Sequence, residues 1–185
     1  MLKSFVNAYR QNDPSVKSFL EVLLLLPGPR AVFFHRVAHL FYIVRLYFFA
    51  RFISEFSRWI TGIEIHPGAK IGKNFVIDHG MGVVIGETAV VGDNCMIYHG
   101  VTLGGVIKSD QVKRHPTLKN SVVVGAGAKV LGNIVIGAKT KIGAGAVVVS
   151  DCEEDSVMVG VPARNVSKQG AQGVNTFLES PRVDH

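Results

Sequence analysis

The residues of this sequence best suited to chemistry are carboxylates and cations that stand next to histidines. Asp78 immediately precedes His79, and Arg114 immediately precedes His115, while Glu64 lies fifteen residues before His79. A carboxylate beside an imidazole fixes the ring's tautomer and raises its basicity, so that the other ring nitrogen can take a proton. These residues indicate general-base chemistry, with Arg114 and His115 as candidate partners of an anionic group.

Each pair also has an interpretation without chemistry. Asp78 and His79 could simply fill a turn, and a pair such as Arg114-His115 is commonly part of a solvated loop. Both pairs stand where a regular sequence repeat is interrupted, and this position favours the functional interpretation.

An aliphatic residue recurs at every sixth position along much of the chain. The uninterrupted series is Leu118, Val124, Val130, Ile136, Ile142 and Val148. A period of six does not fit a helix, but as a multiple of two it keeps the aliphatic side chain on one face of an extended segment. The glycines and small residues between the aliphatic positions suit tight turns, where the chain changes direction. Three extended segments close a triangular coil, so the repeat predicts a parallel β-helix.

The repeat continues upstream with two interruptions. Its earlier members are Ile65, Ile71 and Ile77, then Ile85, Val91, Ile97 and Leu103. The step from Ile77 to Ile85 is eight residues, and the step from Leu103 to Leu118 is fifteen. Insertions in such a solenoid become loops on one face, often the binding face. The first insertion carries Asp78-His79 and the second ends in Arg114-His115, so we expect both pairs on binding loops.

The first sixty residues have a helical pattern instead. Asp13-Pro14 resembles a helix start, residues 19–26 predict a helix that Pro27-Gly28-Pro29 breaks, and residues 31–60 predict one long helix or two. We therefore expect an α+β protein with an α-helical region over residues 1–60. A β-helical catalytic domain follows over residues 61–166, and a flexible tail over residues 167–185.

Composition and charge limit the classes of partner. The net charge of +6 permits an anionic ligand, but no dense basic run or nucleic-acid-binding module is present, so we expect no nucleic acid. Arginines and histidines between residues 35 and 58 interrupt the apolar run around residues 40–50 before it could span a bilayer, although an interfacial helix remains an alternative. Cys95 and Cys152 have neither paired nor metal-ligand spacing. We expect a cytoplasmic protein without a metal.

Several motifs together resemble one family. They are Thr-Gly-Ile-Glu-Ile-His-Pro-Gly-Ala at 61–69, Asp-His-Gly at 78–80, Gly-Val-Thr-Leu-Gly-Gly at 100–105 and Arg-His-Pro at 114–116. Over residues 13–166 the chain resembles serine O-acetyltransferase, of the hexapeptide-repeat acyltransferase superfamily. The resemblance implies a left-handed β-helix and a homotrimer or hexamer with active sites between subunits. It also implies transfer of acetyl from acetyl-CoA to L-serine, giving O-acetyl-L-serine for cysteine biosynthesis.

The resemblance also implies a role for each candidate residue. His79 is the general base, Glu64 orients it, and the protonated ring returns its proton to the CoA sulfur. Asp13 and Asp78 are implied to bind the serine ammonium, and Arg114 and His115 to bind the serine carboxylate. His115 is also implied to be catalytic. The residues implied for the pantetheine arm of CoA are Gly105, Ala126 and Ala144, and an amide near Gly105 stabilises the oxyanion.

The partners follow from the same resemblance. L-cysteine is implied as a feedback inhibitor at the serine pocket. The family's partner cysteine synthase binds a C-terminal Ile, and because this chain ends in Val183-Asp184-His185 we expect that complex to be weak or absent. Two alternatives are an acetyl-CoA-dependent transferase for another acceptor, such as a sugar, and a non-catalytic scaffold with the same fold.

Overall fold

The structure, a computed structural model, describes residues 2–12, 17–106 and 113–167. Four helices come first: α1 (Leu2–Asn12), α2 (Phe19–Leu24), α3 (Pro27–Ile43) and α4 (Tyr47–Thr61). The predicted helix start at Asp13-Pro14 lies outside the described residues. So does the predicted tail beyond residue 167.

One helix boundary differs from the sequence predictions, and one alternative that the sequence left open is decided. Residues 31–60 form parts of two helices, because Arg45 has a left-handed φ of 63° that ends α3 and redirects the chain into α4. Pro27 was expected to break a helix, and α2 does end at Leu24, but Pro27 also begins α3. A proline is tolerated in a first helical turn, where its missing N–H has no partner to lose.

Helix α4 packs with its small residues inward and its aromatic residues outward. Ala50, Ser54, Ser57 and Thr61 are buried, and the Ser54 hydroxyl donates to the Ile65 carbonyl at 2.9 Å. On the opposite side Phe48 is 77% exposed and Trp59 81% exposed. Among the described residues, no helix combines the length and the apolar composition needed to cross a bilayer.

In the described part of the chain, fifteen short strands follow the helices. They are β1 (Glu64–Ile65), β2 (Lys70–Ile71), β3 (Val76–Ile77), β4 (Val84–Ile85), β5 (Val90–Val91), β6 (Met96–Ile97), β7 (Thr102–Gly104), β8 (Thr117–Leu118), β9 (Val123–Val124), β10 (Lys129–Leu131), β11 (Val135–Ile136), β12 (Lys141–Ile142), β13 (Val147–Val148), β14 (Val157–Val159) and β15 (Arg164–Asn165). Successive strands join three sheets in turn: β1-β4-β7-β10-β13, β2-β5-β8-β11 and β3-β6-β9-β12-β14-β15. All pairings between coils are parallel, and only β15 turns back antiparallel. The predicted parallel β-helix is therefore confirmed.

The aliphatic repeat forms the core of this prism. In the first sheet Ile65, Ile85, Leu103, Val130 and Val148 stack in register, and each is at most 4% exposed. The two insertions do not interrupt this column, because the first lies between β3 and β4 and the second between β7 and β8. We call the edge between the third and first sheets the His79 edge, and the edge between the first and second sheets the His115 edge.

Helix α3 buries a histidine against the first coils. His35 is 3% exposed, and neither ring nitrogen makes a hydrogen bond of ordinary geometry with a described residue. Burial, with smaller contributions from the nearby His39 and Arg36, lowers the pKa of His35 to about 3, and an interaction with the Ala69 backbone opposes the shift more weakly. The ring is therefore neutral in the folded protein at pH 7.

This histidine should make the fold sensitive to acid. Between pH 6.5 and about 3 the unfolded chain binds a proton at His35 that the folded chain does not, so stability falls as the pH falls through this window. The slope is about 1.4 kcal/mol per pH unit for each protomer, or about 2 kcal/mol between pH 7.5 and 5. We expect His35→Phe to lose about 2 kcal/mol less than the wild type over this range in urea unfolding. The exposed His99→Asn serves as the control, and an equal pH dependence of wild type and His35→Phe would refute this assignment.

Candidate active site

The His79 edge presents an imidazole to solvent from a tight turn. His79 follows β3 in the left-handed conformation, with φ 56°, and its side chain is 76% exposed. Its Nε2 lies 4.0 Å from Asp78 Oδ1, and its ring centroid lies 6.0 Å from that of His99. The two residues added to this coil therefore place an accessible base beside a carboxylate.

A cavity of about 190 Å³ opens beside this pair. It is lined by Tyr9, Leu26, Pro27, Val76, Ile77, Asp78 and His79. Such a volume is smaller than the roughly 300–1,000 Å³ of sites for drug-sized ligands, and it suits a molecule of amino-acid size.

Tyr9 closes the cavity from α1 and was not among the predicted site residues. Its hydroxyl accepts a hydrogen bond from the Ile77 amide at 3.0 Å, and burial raises the pKa of Tyr9. Gly28 allows this approach, because a Cβ there would clash with the Ile77 carbonyl and the Tyr9 hydroxyl. No sequence signal joins Tyr9 to residue 77. Asp13, the other predicted ligand of the serine ammonium, lies outside the described residues.

Glu64 forms no ion pair with His79 within the protomer, and its predicted role in orienting that ring stays a prediction. Its carboxylate lies 3.4 Å from Arg58 and 3.8 Å from Arg51, both on α4. Because two cations compete for this carboxylate, Glu64 joins α4 to β1, and Asp78 is the carboxylate that reaches the His79 ring. The sequence could not show this, because α4 crosses β1 only in the folded chain.

The His115 edge holds the second imidazole through Thr88. The Thr88 hydroxyl donates to His115 Nδ1 at 2.8 Å and accepts the backbone N–H groups of Arg114 and His115 at 3.1 and 3.2 Å. One donor and two acceptor sites are the full capacity of a hydroxyl. Thr88 was not among the predicted site residues, because it contacts His115, 27 residues further along the chain, only after the coils have stacked.

The contacts of His115 define its protonation state. The Thr88 backbone N–H also points at Nδ1, at 3.2 Å, so Nδ1 is an acceptor and the neutral ring carries its proton on Nε2. Burial lowers the pKa of His115, and the charges of Arg114 and Lys113 lower it further. Gly86 leaves room for the ring, because a Cβ there would clash with Nε2. His115 therefore offers an Nε2–H donor at neutral pH.

Arg114 is oriented by a chain of polar contacts from the helices. Its guanidinium lies 3.5 Å from Glu87 Oε2, and the Tyr42 hydroxyl donates to Glu87 Oε1 at 3.0 Å. The guanidinium remains nearly half exposed. A planar guanidinium presented in this way suits a carboxylate ligand.

The predicted pantetheine residues divide between the two edges. Ala126 and Ala144 lie one coil apart on the His79 edge, where the Gly145 amide donates to the Ala126 carbonyl at 2.8 Å. Gly127 and Gly145 beside them have φ near 68°, and a Cβ at either would meet nothing within 4 Å, so this edge is an open track of backbone. Gly105 lies on the other edge, against the side chains of Arg114 and His115.

The site residues thus form two half-sites on one protomer. One edge carries Asp78, His79, Ala126 and Ala144, and the other carries Arg114, His115 and Gly105. The first sheet separates them. The described residues show no cluster of three or more potential metal ligands.

Comparison with known proteins decides the family. A serine acetyltransferase of Synechococcus elongatus is 54% identical over 175 residues, covering 93% of this chain and 71% of the relative. The chain belongs to the serine acetyltransferase family. A second member, from Helicobacter pylori, is 58% identical over 158 residues, covering 85% of this chain and 92% of its own length. No protein-family profile matches the chain.

Solved serine acetyltransferase structures share the fold. The structure from Neisseria gonorrhoeae superposes with a TM-score of 0.86 at 40% identity, covering 90% of this chain. That from Brucella abortus in complex with coenzyme A superposes with a TM-score of 0.86 at 42% identity, covering 89%. This chain spans only 65% and 66% of their lengths. The predicted left-handed β-helix and the predicted acetyl-CoA-dependent serine acetyltransferase are both confirmed by these relatives.

Proposed function

We propose that this serine acetyltransferase uses His79 as its general base on a serine bound between two copies of the chain. The observation that carries the proposal is the exposed His79 ring, held in a left-handed turn beside Asp78 and a cavity of about 190 Å³. Asp78, with Asp13, binds the serine ammonium, and Arg114 with the Nε2–H of His115 binds the carboxylate. The serine hydroxyl then faces His79.

The chemistry is a direct transfer. His79 takes the hydroxyl proton while the serine oxygen attacks the thioester carbon of acetyl-CoA, and an amide near Gly105 stabilises the oxyanion. The intermediate collapses with cleavage of the C–S bond, and the imidazolium gives its proton to the departing sulfur. The products are O-acetyl-L-serine and CoA, and His79 is neutral again. The open track at Ala126 and Ala144 holds the pantetheine arm.

Because the half-sites lie on different edges, a complete site requires a second copy. Placing the His79 edge of one protomer against the His115 edge of the next creates one site at each seam, and three copies close a ring. We infer a homotrimer on this basis. The two imidazoles then share one pocket, although the protomer keeps them apart.

The outward aromatic residues of α4 support association of this kind. Phe48, Phe49, Phe52, Phe56 and Trp59 are 43–81% exposed in the protomer. At about 200 Å² for each aromatic side chain they expose on the order of 600 Å² of apolar surface. That is as large as the largest apolar patch of a typical monomer and most of the roughly 800 Å² that each partner buries in a stable interface. We infer that another copy covers part of this face.

The same site supports inhibition by cysteine. A solved serine acetyltransferase contains cysteine, and L-cysteine differs from L-serine only in a thiol where serine has the hydroxyl. We infer that it occupies the ammonium and carboxylate sites described for serine.

The C-terminal residues on which the cysteine synthase expectation rests lie outside the described chain. Two free cysteines, both buried, support a reducing cytoplasmic compartment.

The proposal is tested by following CoA release with one acceptor at a time. We expect L-serine to support turnover and amino sugars to give only the background of acetyl-CoA hydrolysis. Turnover with a sugar but not with serine would overturn the acceptor. No turnover with any acceptor, despite binding of CoA, would favour a non-catalytic scaffold.

A further inference from the structure

Lys113 makes an unusual set of contacts just before the Arg114-His115 pair. Its ammonium donates to the carbonyls of Thr88 at 2.6 Å, His115 at 2.5 Å and Pro116 at 3.4 Å. An ammonium has three N–H donors, so this group is fully used inside the protein. A lysine that only solvated a loop would leave its ammonium in water.

The three carbonyls belong to two segments that the sequence separates. Thr88 lies in the corner after β4, whereas His115 and Pro116 lead into β8. The Thr88 hydroxyl joins the same segments from the other side, through His115 Nδ1 and two backbone N–H groups. The turn that carries Arg114 and His115 is thus held by donors from Lys113 and by the hydroxyl of Thr88.

We propose that Lys113 is a positioning residue for the substrate carboxylate: its ammonium ties the Arg114-His115 turn to the coil below and holds both side chains ready for the anion. The inference rests on the proposed role of Arg114 and His115. Lys113 itself donates to protein carbonyls and touches no substrate. Lys113 affects the affinity for serine indirectly, by holding the turn that carries Arg114 and His115.

The electrostatics of the turn agree with this role. Burial lowers the pKa of Lys113, with Lys70 contributing, and the ammonium makes its hydrogen bonds to three backbone carbonyls. The groups that act on the His115 ring are Arg114, Lys113 and His66, which lower its pKa, and Glu87, which raises it. The neutral ring is the form that accepts from Thr88 at Nδ1 and donates from Nε2.

The test compares Lys113→Met with Lys119→Met, an exposed lysine two residues beyond the turn's Pro-Thr step. We expect Lys113→Met to raise KM for serine about ten- to a hundredfold, as is usual when a partner of a charged hydrogen-bond network is removed. The changes in kcat and in KM for acetyl-CoA should stay within about twofold, since neither depends on binding the carboxylate. Lys119→Met should resemble the wild type in all three constants.

A second measurement does not depend on turnover. In ¹⁵N NMR spectra of the substrate-free full chain, assigned with His115→Gln, we expect wild-type His115 to be mostly the Nε2–H tautomer and Lys113→Met to gain Nδ1–H tautomer or protonated ring. An unchanged serine KM together with an unchanged His115 spectrum would overturn the role of Lys113. If Lys113→Met changes the His115 spectrum but the wild type does not acetylate serine, the proposed function is rejected and the positioning role of Lys113 stands.

Should Lys113→Met fail to fold, Lys113→Arg replaces it. A planar guanidinium keeps the charge but cannot direct three donors from a single nitrogen. We therefore expect serine KM to rise in this variant as well, and a wild-type value would refute the proposal.

Discussion

Replacing His79 by asparagine should abolish most of the turnover while leaving the fold and the assembly intact. A positioned general base typically contributes about 10²- to 10⁴-fold to the rate, so we expect kcat to fall by about that factor. Asparagine is the suitable replacement because residue 79 has a φ of 56°, a left-handed conformation that asparagine tolerates better than alanine. The measurement is CoA release at saturating serine and acetyl-CoA, with the oligomer mass recorded for each variant.

His99→Asn is the matched control, because its ring lies on the same edge, 6.0 Å from that of His79. It should keep turnover within about threefold, since nothing in the proposed proton transfer uses it. Near-normal activity of His79→Asn would reject the mechanism. Equal losses in both variants would show that the edge, and not the base, had been disturbed.

Two inactive variants should regain activity when their protomers are mixed. Each proposed seam takes Asp78 and His79 from one copy and Arg114 from the next. In an equal mixture of His79→Asn and Arg114→Ala, a given seam has both residues intact with a probability of about one quarter. We therefore expect about a quarter of the wild-type rate at low serine after the two variants are refolded together or co-expressed.

The control mixture pairs His79→Asn with Asp78→Asn. Both residues lie on the same edge of one protomer, so no seam can combine two intact copies, and the mixture should stay inactive. A site contained within one chain predicts no recovery in either mixture. That result would remove the reason for proposing a homotrimer.

The fold was largely predictable because its signal is local and periodic. The six-residue spacing of aliphatic residues is visible without any structure, and the column that they form, such as Ile85 on Leu103, is what the spacing predicts. The two insertions were also visible in the sequence, as breaks in the six-residue spacing. The helices were less certain: that residues 31–60 divide at Arg45 depends on one residue in a left-handed conformation, and no pattern in the sequence requires it.

The candidate site was predictable only in part. The chemical groups were identified from the sequence and its family resemblance, since an imidazole beside a carboxylate has limited uses. The side chains that these groups contact could not be identified in the same way. Glu64 was expected to orient His79, but α4 brings Arg51 and Arg58 to its carboxylate.

The sequence alone determined which residues face the core, where the coils are interrupted and which side chains could do chemistry, because all three depend on spacing along the chain. The tertiary structure decided which of these residues meet. Thr88 contacts His115, 27 residues further along the chain, Tyr9 contacts Ile77 from a helix near the start of the chain, and the first sheet separates His79 from His115. Such contacts depend on how far apart two segments lie in space after the coils have stacked, and the separation of residues in sequence carries no record of that distance.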